Sequence, residues 1–205
     1  MIPIAREVRV LLVLIGIVLI FAQAKFNLHP LWIAWLAYFL LLFLFRDFSR
    51  VVPAQPLAIV SPVDGKVVDI NEAYDPYLKR VAQCIHLQQP WLGEFNVHSP
   101  AEGKVNNLWV ISPTDPEKSQ LALWLQTDEE DDAVMVADLN SIFRHATCNV
   151  STGERLGQGQ RCGFMGFACK FIIYLPPSAH IAIKVGQSVR AGSDKLAEFV
   201  HEKRS

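Results

Sequence analysis

The chain has 205 residues, of which 51% are hydrophobic and 19% are charged, and this charged share lies below the roughly 25% that is usual in soluble domains. Such a composition excludes a disordered protein. Residues 48–205 carry 15 basic and 18 acidic side chains, which excludes a basic nucleic-acid-binding domain. The length allows one membrane-attached segment and one further domain of about 150 residues.

Two apolar runs open the chain, at residues 10–22 and 31–45. Each run alone is shorter than the roughly 20 residues that cross a bilayer, so each needs its flanking residues to span. We therefore predict a two-helix membrane hairpin over residues 1–47, with helices at about 8–24 and 30–46. Basic residues at both ends of the hairpin favour both ends in the cytoplasm.

A cleaved signal peptide competes with the first helix of this hairpin. Arg6 and Arg9, the apolar run and Ala22-Gln23-Ala24 match the three parts of such a peptide. The second apolar run follows at once and favours the hairpin. The alternative for residues 1–24 stays open at this stage.

From residue 48 onward the pattern changes to short apolar runs broken by Gly and Pro. Residues 57–60, 66–70, 171–175 and 180–185 read as strands, and long stretches of helical period are absent. We predict a mainly β fold for residues 48–205, a β-rich sandwich or barrel-like catalytic domain.

Two short patterns occur twice in this domain. Ser61-Pro-Val-Asp-Gly-Lys-Val recurs as Ser99-Pro-Ala-Glu-Gly-Lys-Val, and Gly153-x-x-Leu-x-x-Gly159 recurs as Gly186-x-x-Val-x-x-Gly192. Each copy is predicted to be a turn that enters a strand, with Asp-Gly and Glu-Gly supplying the turn geometry.

Three residues could carry chemistry: the acid Asp64, the imidazole of His98 and the thiol of Cys169. Acid, imidazole and thiol form a nucleophile set only if the fold brings them together. The alternative is structural, with Cys169 as a small buried hydrophobe and His98 as a hydrogen-bonded histidine of the fold.

The cysteines do not indicate a metal site. Cys84, Cys148, Cys162 and Cys169 form no C-x-x-C pair and do not lie at zinc-ligand spacing from a histidine. We therefore predict no metal cofactor, and thiols that remain reduced.

Four blocks of sequence, in order along the chain, resemble the short bacterial phosphatidylserine decarboxylases. The resemblance covers most of the chain, including the apolar runs, and is loose over residues 104–150. The blocks are Phe45-Arg-Asp-Phe-Ser-Arg50, Val60-Ser-Pro-Val-Asp-Gly-Lys-Val67, Phe95-Asn-Val-His-Ser-Pro-Ala-Glu-Gly103, and a C-terminal region that includes 153–157, 163–176 and 185–192.

In that family a Gly-Ser bond cuts itself, and the serine becomes an N-terminal pyruvoyl group that serves as the cofactor. The matching pair here is Ala168-Cys169, so the resemblance implies self-cleavage between residues 168 and 169 with Cys169 as the pyruvoyl precursor. It also implies that Asp64, through His98, acts as the base for cleavage, and that His98 then assists decarboxylation and protonation.

The replacement of serine by cysteine is compatible with this chemistry. A free thiol, with a pKa of about 8.5, ionises more readily than a hydroxyl and attacks the preceding carbonyl more readily. Ala168 resists backbone angles that glycine adopts, at a cost of about 1–2 kcal/mol if a left-handed conformation is needed.

The resemblance implies decarboxylation of phosphatidylserine to phosphatidylethanolamine by a self-derived, covalent pyruvoyl group. Its partners would be the phospholipid membrane, phosphatidylserine and the two fragments of the cleaved chain, without nucleic acid; a homo-oligomer is left open. The expected location is the bacterial inner (cytoplasmic) membrane, with the soluble domain on the cytoplasmic side.

Two alternatives to this function stay open. One is an inactive, uncleaved relative that binds lipid. The other is an uncleaved thiol enzyme that uses Cys169, His98 and Asp64.

Overall fold

The computed structural model divides the chain into two compact units, residues 1–49 and 50–205. It describes residues 6–26, 31–44, 52, 55, 57–90, 94–110, 120–138, 146–165 and 170–200.

The first unit contains two helices, α1 (Arg6–Phe26) and α2 (Leu31–Leu44). They pack closely where the Tyr38 ring lies over Gly16, so closely that a Cβ on Gly16 would lie 2.7 Å from the tyrosine hydroxyl. Within the described residues, neither helix is both long and apolar enough to span a membrane. The predicted membrane-spanning hairpin over residues 1–47 is therefore not supported, since α2 has 14 residues where a span needs about 20.

The described part of the second unit is built from strands, which confirms the prediction of a mainly β fold. The predicted strand at residues 180–185 is shorter than expected and ends at Ile181. The strands are β1 (Ala58–Val60), β2 (Gly65–Asp75), β3 (Arg80–Gln88), β4 (Asn96–His98), β5 (Gly103–Val110), β6 (Gln120–Gln126), β7 (Asp132–Asp138), β8 (Ala146–Cys148), β9 (Arg155–Leu156), β10 (Arg161–Met165), β11 (Lys170–Leu175), β12 (His180–Ile181), β13 (Ser188–Val189) and β14 (Lys195–Glu198).

The main sheet is antiparallel and has the strand order β13-β2-β3-β11-β7-β6-β5-β9. Register shifts between Val67 and Asp69 in β2 and between Val105 and Asn107 in β5 mark bulges, which increase the local twist of the strands. Two smaller sheets, β1-β14-β12 and β4-β10-β8, complete the unit.

The larger cluster of buried residues lies on one face of the main sheet, and a smaller one with Ala122, Val134 and Val136 lies on the other. Along β11 buried and more exposed residues alternate, and Phe171, Ile173 and Leu175 point into the core, as the two-residue period of a strand requires. The smaller sheets contribute Val97 and Leu196 to the same cluster of buried residues. All three sheets therefore share one core.

The first repeated pattern forms two similar loops. In each loop the serine hydroxyl donates a hydrogen bond two residues ahead, from Ser61 to Val63 O at 2.7 Å and from Ser99 to Ala101 O at 2.8 Å. Each loop leads into a long strand of the main sheet, β2 in one case and β5 in the other. The two copies thus have the same local structure.

The glycines of these loops are needed for a different reason from the one predicted. Gly65 and Gly103 are outside the left-handed region. A Cβ on Gly65 would lie 2.9 Å from Gln88 O, and a Cβ on Gly103 would collide with Gln126 O. Close approach of the neighbouring strand, rather than turn geometry, requires glycine at these positions.

The second repeated pattern also folds the same way twice. Gly153 and Gly159 have φ angles of 92° and 67°, and Gly186 and Gly192 have φ angles of 89° and 66°. Between each pair of glycines lies a short strand, β9 beside β5 and β13 beside β2. Here the glycines do supply left-handed backbone angles.

Candidate active site

The two loops of the first repeated pattern, which begin at Ser61 and Ser99, face each other at the centre of the second unit. His98 N donates a hydrogen bond to Pro62 O at 2.9 Å, and Val60 N donates one to Pro100 O at 2.8 Å. This reciprocal pairing brings His98, at the end of β4, next to the loop that carries Asp64. The internal repeat therefore places two of the predicted site residues in one region.

Asp64 is held by two backbone amides. Its Oδ1 accepts a hydrogen bond from Ala191 N at 2.8 Å, and its Oδ2 accepts one from Glu94 N at 3.2 Å. A carboxylate that accepts two backbone hydrogen bonds ties together the chain segments that carry them. Asp64 thus joins the loop before β2 to the segments before β4 and after β13.

His98 is hydrogen-bonded through both ring nitrogens, and only 13% of its side chain is exposed. Nδ1 lies 2.8 Å from Gly159 O, and since a carbonyl oxygen only accepts, Nδ1 carries a proton and donates. Nε2 lies 3.0 Å from Glu94 Oε1. A Cβ on Gly192 would lie 3.2 Å from Nδ1, so this glycine leaves room for the ring.

Glu94 is the residue that the sequence analysis missed. Its side chain is 1% exposed, and Oε1 also accepts a hydrogen bond from Asn96 Nδ2 at 3.0 Å. Gln89 Nε2 donates to Glu94 O at 3.2 Å. The one signal in the sequence is a glutamate four residues before His98, between apolar neighbours, and such a residue is usually exposed.

The predicted acid and imidazole therefore meet through a third residue. Asp64 binds the backbone of Glu94, and the Glu94 side chain binds His98. This chain of contacts brings Asp64 and His98 into one site.

Ala168 and Cys169 lie outside the described residues, and the positions on either side of residues 166–169 are described. Met165 N donates to Phe95 O at 2.8 Å. Lys170 pairs with Gln88 of β3 and with Asp138 of β7. Met165 therefore adjoins the stretch of chain that carries Glu94 and His98, and Lys170 adjoins the end of β3, which precedes that stretch.

A cavity of about 550 Å³ opens beside Asp64. Its lining includes the cationic side chains Lys66 and Arg190 and the amide of Gln88. Arg190 Nη2 also lies 2.9 Å from Asp194 Oδ1. Cationic groups in such a cavity can bind a carboxylate or a phosphate.

The described cysteines are not activated nucleophiles. Burial raises the pKa of the Cys84 thiol to about 11 and also raises the pKa of the Cys148 and Cys162 thiols. Thiols with raised pKa are unreactive near neutral pH because the thiolate is the nucleophile. No group of three or more His, Cys, Asp or Glu side chains within the described ranges could hold a metal ion.

Comparison with known proteins identifies the family. A family model for phosphatidylserine decarboxylase matches residues 38–197. A phosphatidylserine decarboxylase proenzyme of Nitrosomonas europaea is 35% identical over 182 residues, covering 83% of this chain and 82% of the relative. The proenzyme of Nitrosomonas eutropha is 34% identical over 177 residues, covering 80% and 81%, and that of Burkholderia multivorans is 31% identical over 208 residues, covering 96% of each.

The fold and these relatives define a mainly β carboxy-lyase. The chain belongs to the phosphatidylserine decarboxylase family, as the sequence blocks predicted. A comparison with solved structures finds no match.

Proposed function

We propose that this chain decarboxylates phosphatidylserine to phosphatidylethanolamine with a pyruvoyl group that it makes from Cys169 by self-cleavage after Ala168. One observation carries the proposal: Met165, just before residues 166–169, is hydrogen-bonded to Phe95, three residues before His98. Lys170, just after them, pairs with Gln88 at the end of β3. The relatives are named proenzymes, which agrees with a chain that is processed before it acts.

Self-cleavage uses the side chain of Cys169. Its sulfur attacks the carbonyl carbon of Ala168, the peptide C–N bond breaks, and a thioester forms between the two residues. Loss of the Cα proton then breaks the Cβ–S bond, and residue 168 leaves as a thiocarboxylate. The dehydroalanine left at residue 169 takes up water and loses ammonia, which gives the pyruvoyl group.

We assign the proton transfer and the binding that this reaction needs to residues that the structure describes. We assign His98 to accept the Cα proton of Cys169, and Asp64 to hold the segment before His98 through the amide of Glu94. Elimination from a thioester requires a base within hydrogen-bond reach of the proton that it removes.

The cavity beside Asp64 suits an anionic substrate. Lys66 and Arg190 line it and are assigned to the carboxylate or phosphate of phosphatidylserine. The pyruvoyl group supplies the electron sink for loss of carbon dioxide. His98 then returns a proton to the substrate carbon.

We also propose that the chain acts at the bacterial cytoplasmic membrane, with the second unit on the cytoplasmic side. Large apolar side chains are exposed on both helices, among them Val18 (65%), Phe21 (71%), Trp32 (64%) and Phe43 (64%), and exposed apolar patches of this kind contact lipid or protein. Fractionation of cells, with protease treatment of inverted and right-side-out vesicles, tests this location. Recovery in the soluble fraction, or digestion only from the periplasmic side, would contradict it.

Intact mass spectrometry of the purified full-length chain, with Cys169→Ser and Cys169→Ala variants, tests the function. The unsubstituted chain should yield residues 1–168 and a pyruvoyl-blocked 169–205. The first fragment should end in a thiocarboxylate, or in a carboxylate once that group has hydrolysed. Cys169→Ser should leave a carboxylate directly and retain some cleavage, whereas Cys169→Ala should stay intact.

Activity of the cleaved protein is then measured as release of carbon dioxide from phosphatidylserine vesicles. An intact, inactive chain would favour the lipid-binding relative. An intact chain whose activity is lost on alkylation of Cys169 would favour the thiol enzyme. Either result overturns the proposed function.

A further inference from the structure

A row of paired residues crosses the main sheet at the last residue of β3. Gln88 pairs with Lys66 of β2 on one side and with Lys170 of β11 on the other. Residues that lie directly opposite each other on neighbouring strands point to the same face of a sheet. In the adjoining row, Leu87 and Phe171 are buried in the core. Lys66 and Lys170 therefore flank Gln88 on the face that turns away from this core.

Two cavities share Gln88 in their lining and are therefore contiguous. The cavity of about 550 Å³ beside Asp64 is also lined by Lys66, and a second cavity, of about 180 Å³, is also lined by Lys170. Neighbouring strands lie about 4.8 Å apart, so the backbones of the two lysines are about 10 Å apart. Each lysine has a flexible four-carbon side chain, and both amines can reach an anion placed over Gln88. We call this region the two-lysine groove.

The second copy of the first repeated pattern provides an internal comparison. Its lysine, Lys104, pairs with Gln126 as Lys66 pairs with Gln88. The other neighbour of Gln126 is Asp132, and Gln126 Nε2 donates a hydrogen bond to Asp132 Oδ1 at 3.2 Å. A lysine and an aspartate thus flank the glutamine in one copy, whereas lysines occupy both places in the two-lysine groove.

The amines of the two lysines are available for a ligand. Both side chains are exposed, and neither forms a hydrogen bond or an ion pair in the part of the chain that the structure describes. Asp138 adjoins Lys170 from β7, on the side away from Gln88, and Asp69 lines the smaller cavity. An anion over Gln88 would have a positive charge on each side, and this attraction would hold it there.

The phosphate of phosphatidylserine suits the two-lysine groove better than the carboxylate does. The carboxylate loses its charge when carbon dioxide leaves, because the electron pair of the broken C–C bond stays with the rest of the substrate. Two cations on that group would stabilise the substrate more than the transition state and would oppose the reaction. The phosphate keeps its charge throughout, so cations can hold it without this effect.

We propose that Lys66 and Lys170 form the subsite that binds the phosphate of the phosphatidylserine head group. Lys170 directly follows residue 169 in the chain. In phosphatidylserine only one carbon and one oxygen separate the phosphorus from the carbon that is decarboxylated, so the phosphate must lie near the pyruvoyl position. This inference rests on the proposed function for the identity of its ligand. It adds Lys170 as a substrate contact and specifies which anion the two lysines bind.

Phosphorus NMR tests the subsite in a chain that does not cleave. Full-length Cys169→Ala protein in a phosphate-free detergent is titrated with glycerophosphoserine and with glycerophosphoethanolamine, whose phosphodiester signals report binding. Both compounds should bind with similar affinity, and an excess of free serine should not displace them. In the same chain Lys66→Gln and Lys170→Gln should each weaken binding by about tenfold, as expected for the loss of a hydrogen bond to a charged group.

Lys104→Gln is the matched control for these variants. It is the same change at the equivalent position of the second copy, where Asp132 is the other neighbour of the glutamine, and it should leave the affinity unchanged. Lys170→Arg keeps the positive charge and should retain most of the binding.

Several results of this titration would overturn the inference. Displacement by serine would mean that the lysines hold the carboxylate. Tighter binding of inorganic phosphate than of either phosphodiester would assign the two-lysine groove to free phosphate. Absence of phosphodiester binding, or unchanged affinity in both glutamine variants, would show that the lysines form no phosphate subsite.

Steady-state kinetics tests the same assignment in the cleaved enzyme. Release of carbon dioxide from phosphatidylserine in mixed micelles is expressed per pyruvoyl-bearing chain, so that a change in self-cleavage does not affect the values. Lys170→Gln should raise KM by about tenfold and change kcat little, because a contact that is equal in the substrate and the transition state affects KM alone. A fall in kcat at unchanged KM would contradict phosphate binding by Lys170.

Failure of this inference and failure of the proposed function are distinguishable. If the unsubstituted chain neither cleaves nor releases carbon dioxide, the proposed function fails, and the phosphorus titration still decides whether the lysines bind a phosphodiester. If the enzyme is active and its KM is unchanged in both Lys66→Gln and Lys170→Gln, only the phosphate subsite is wrong.

Discussion

At the scale of single residues, His98 is held by the backbone and by a buried acid. Gly159 O accepts from Nδ1, Glu94 faces Nε2, and Gly192 leaves the space beside the ring. A catalytic imidazole needs a defined ring orientation and a defined proton position, and these neighbours supply both. The proposed role of His98 therefore depends on the neighbours that orient its ring.

Substitution of Gly192 tests the space beside the ring. Gly192 has a φ of 66°, and its added Cβ would lie 3.2 Å from His98 Nδ1. Gly192→Ala should cost about 1–2 kcal/mol of unfolding free energy from the left-handed backbone and, by moving His98, should slow self-cleavage by at least tenfold. Urea unfolding and a time course of cleavage give the two values.

Gly186 provides the matched control for this substitution. Its φ is 89°, and nothing lies within 4 Å of an added Cβ. Gly186→Ala should lose a similar free energy of unfolding but should cleave at the rate of the unsubstituted chain. Equal cleavage rates for the two variants would show that contact with Gly192 does not position His98.

At the scale of elements, the repeated loops build the site. Each loop enters a long strand, and the backbone of each loop pairs with the other loop through His98 N to Pro62 O and Val60 N to Pro100 O. Two copies of one short pattern therefore meet at the centre. The first copy contains Asp64, and the second begins at Ser99, directly after His98. In the second copy the position equivalent to Asp64 is Glu102, whose side chain is exposed.

The glycine of the second loop is expected to be essential for this arrangement. A Cβ on Gly103 would collide with the backbone oxygen of Gln126 on the neighbouring strand, and main-chain atoms cannot move aside without breaking the β5–β6 pairing. Gly103→Ala should lower the free energy of unfolding by about 1–3 kcal/mol or more. Gly157→Ala, whose Cβ would meet only a Gln160 side-chain oxygen at 3.6 Å, should change it far less in the same urea titration.

At the scale of the whole molecule, the strands of residues 170–200 pair with strands from the rest of the second unit. Strand β11 lies between β3 and β7 of the main sheet, β13 pairs with β2, and β14 pairs with β1. This segment contributes to the core of the second unit the side chains of Phe171, Ile173, Leu175, Leu196 and Phe199, each at most 2% exposed. A cut between residues 168 and 169 would therefore leave both fragments held in one fold.

We expect the cleaved fragments to stay together without denaturant. Burial of five large apolar side chains at about 1.5–3 kcal/mol each contributes on the order of 10 kcal/mol, in addition to the strand hydrogen bonds. Gel filtration in a mild detergent should give one peak that contains both fragments, and guanidinium chloride should separate them. Separate elution under native conditions would show that residues 170–200 do not hold the fragments together after the cut.

The sequence by itself determined the family, the mainly β character and the repeated loops, because these depend on local pattern. Short apolar runs between Gly and Pro predict strands, and the blocks around Asp64 and His98 are continuous in the chain. Local pattern gave turn geometry as the reason why glycine is needed at positions 65 and 103. The actual reason is close approach of a neighbouring strand, which lies more than twenty residues away in the sequence. Local pattern also predicted a membrane-spanning hairpin that the two described helices do not support.

Only the tertiary structure decided where the Glu94 side chain lies and what it contacts. A glutamate next to apolar residues is buried or exposed according to what packs around it, and nothing local in the sequence specifies that. The fold places Asp64, from a distant loop, on the amide of Glu94, and turns the Glu94 side chain toward His98. The physical reason is that a buried carboxylate is stable only with partners, and residues far apart in the chain contribute to that partnership.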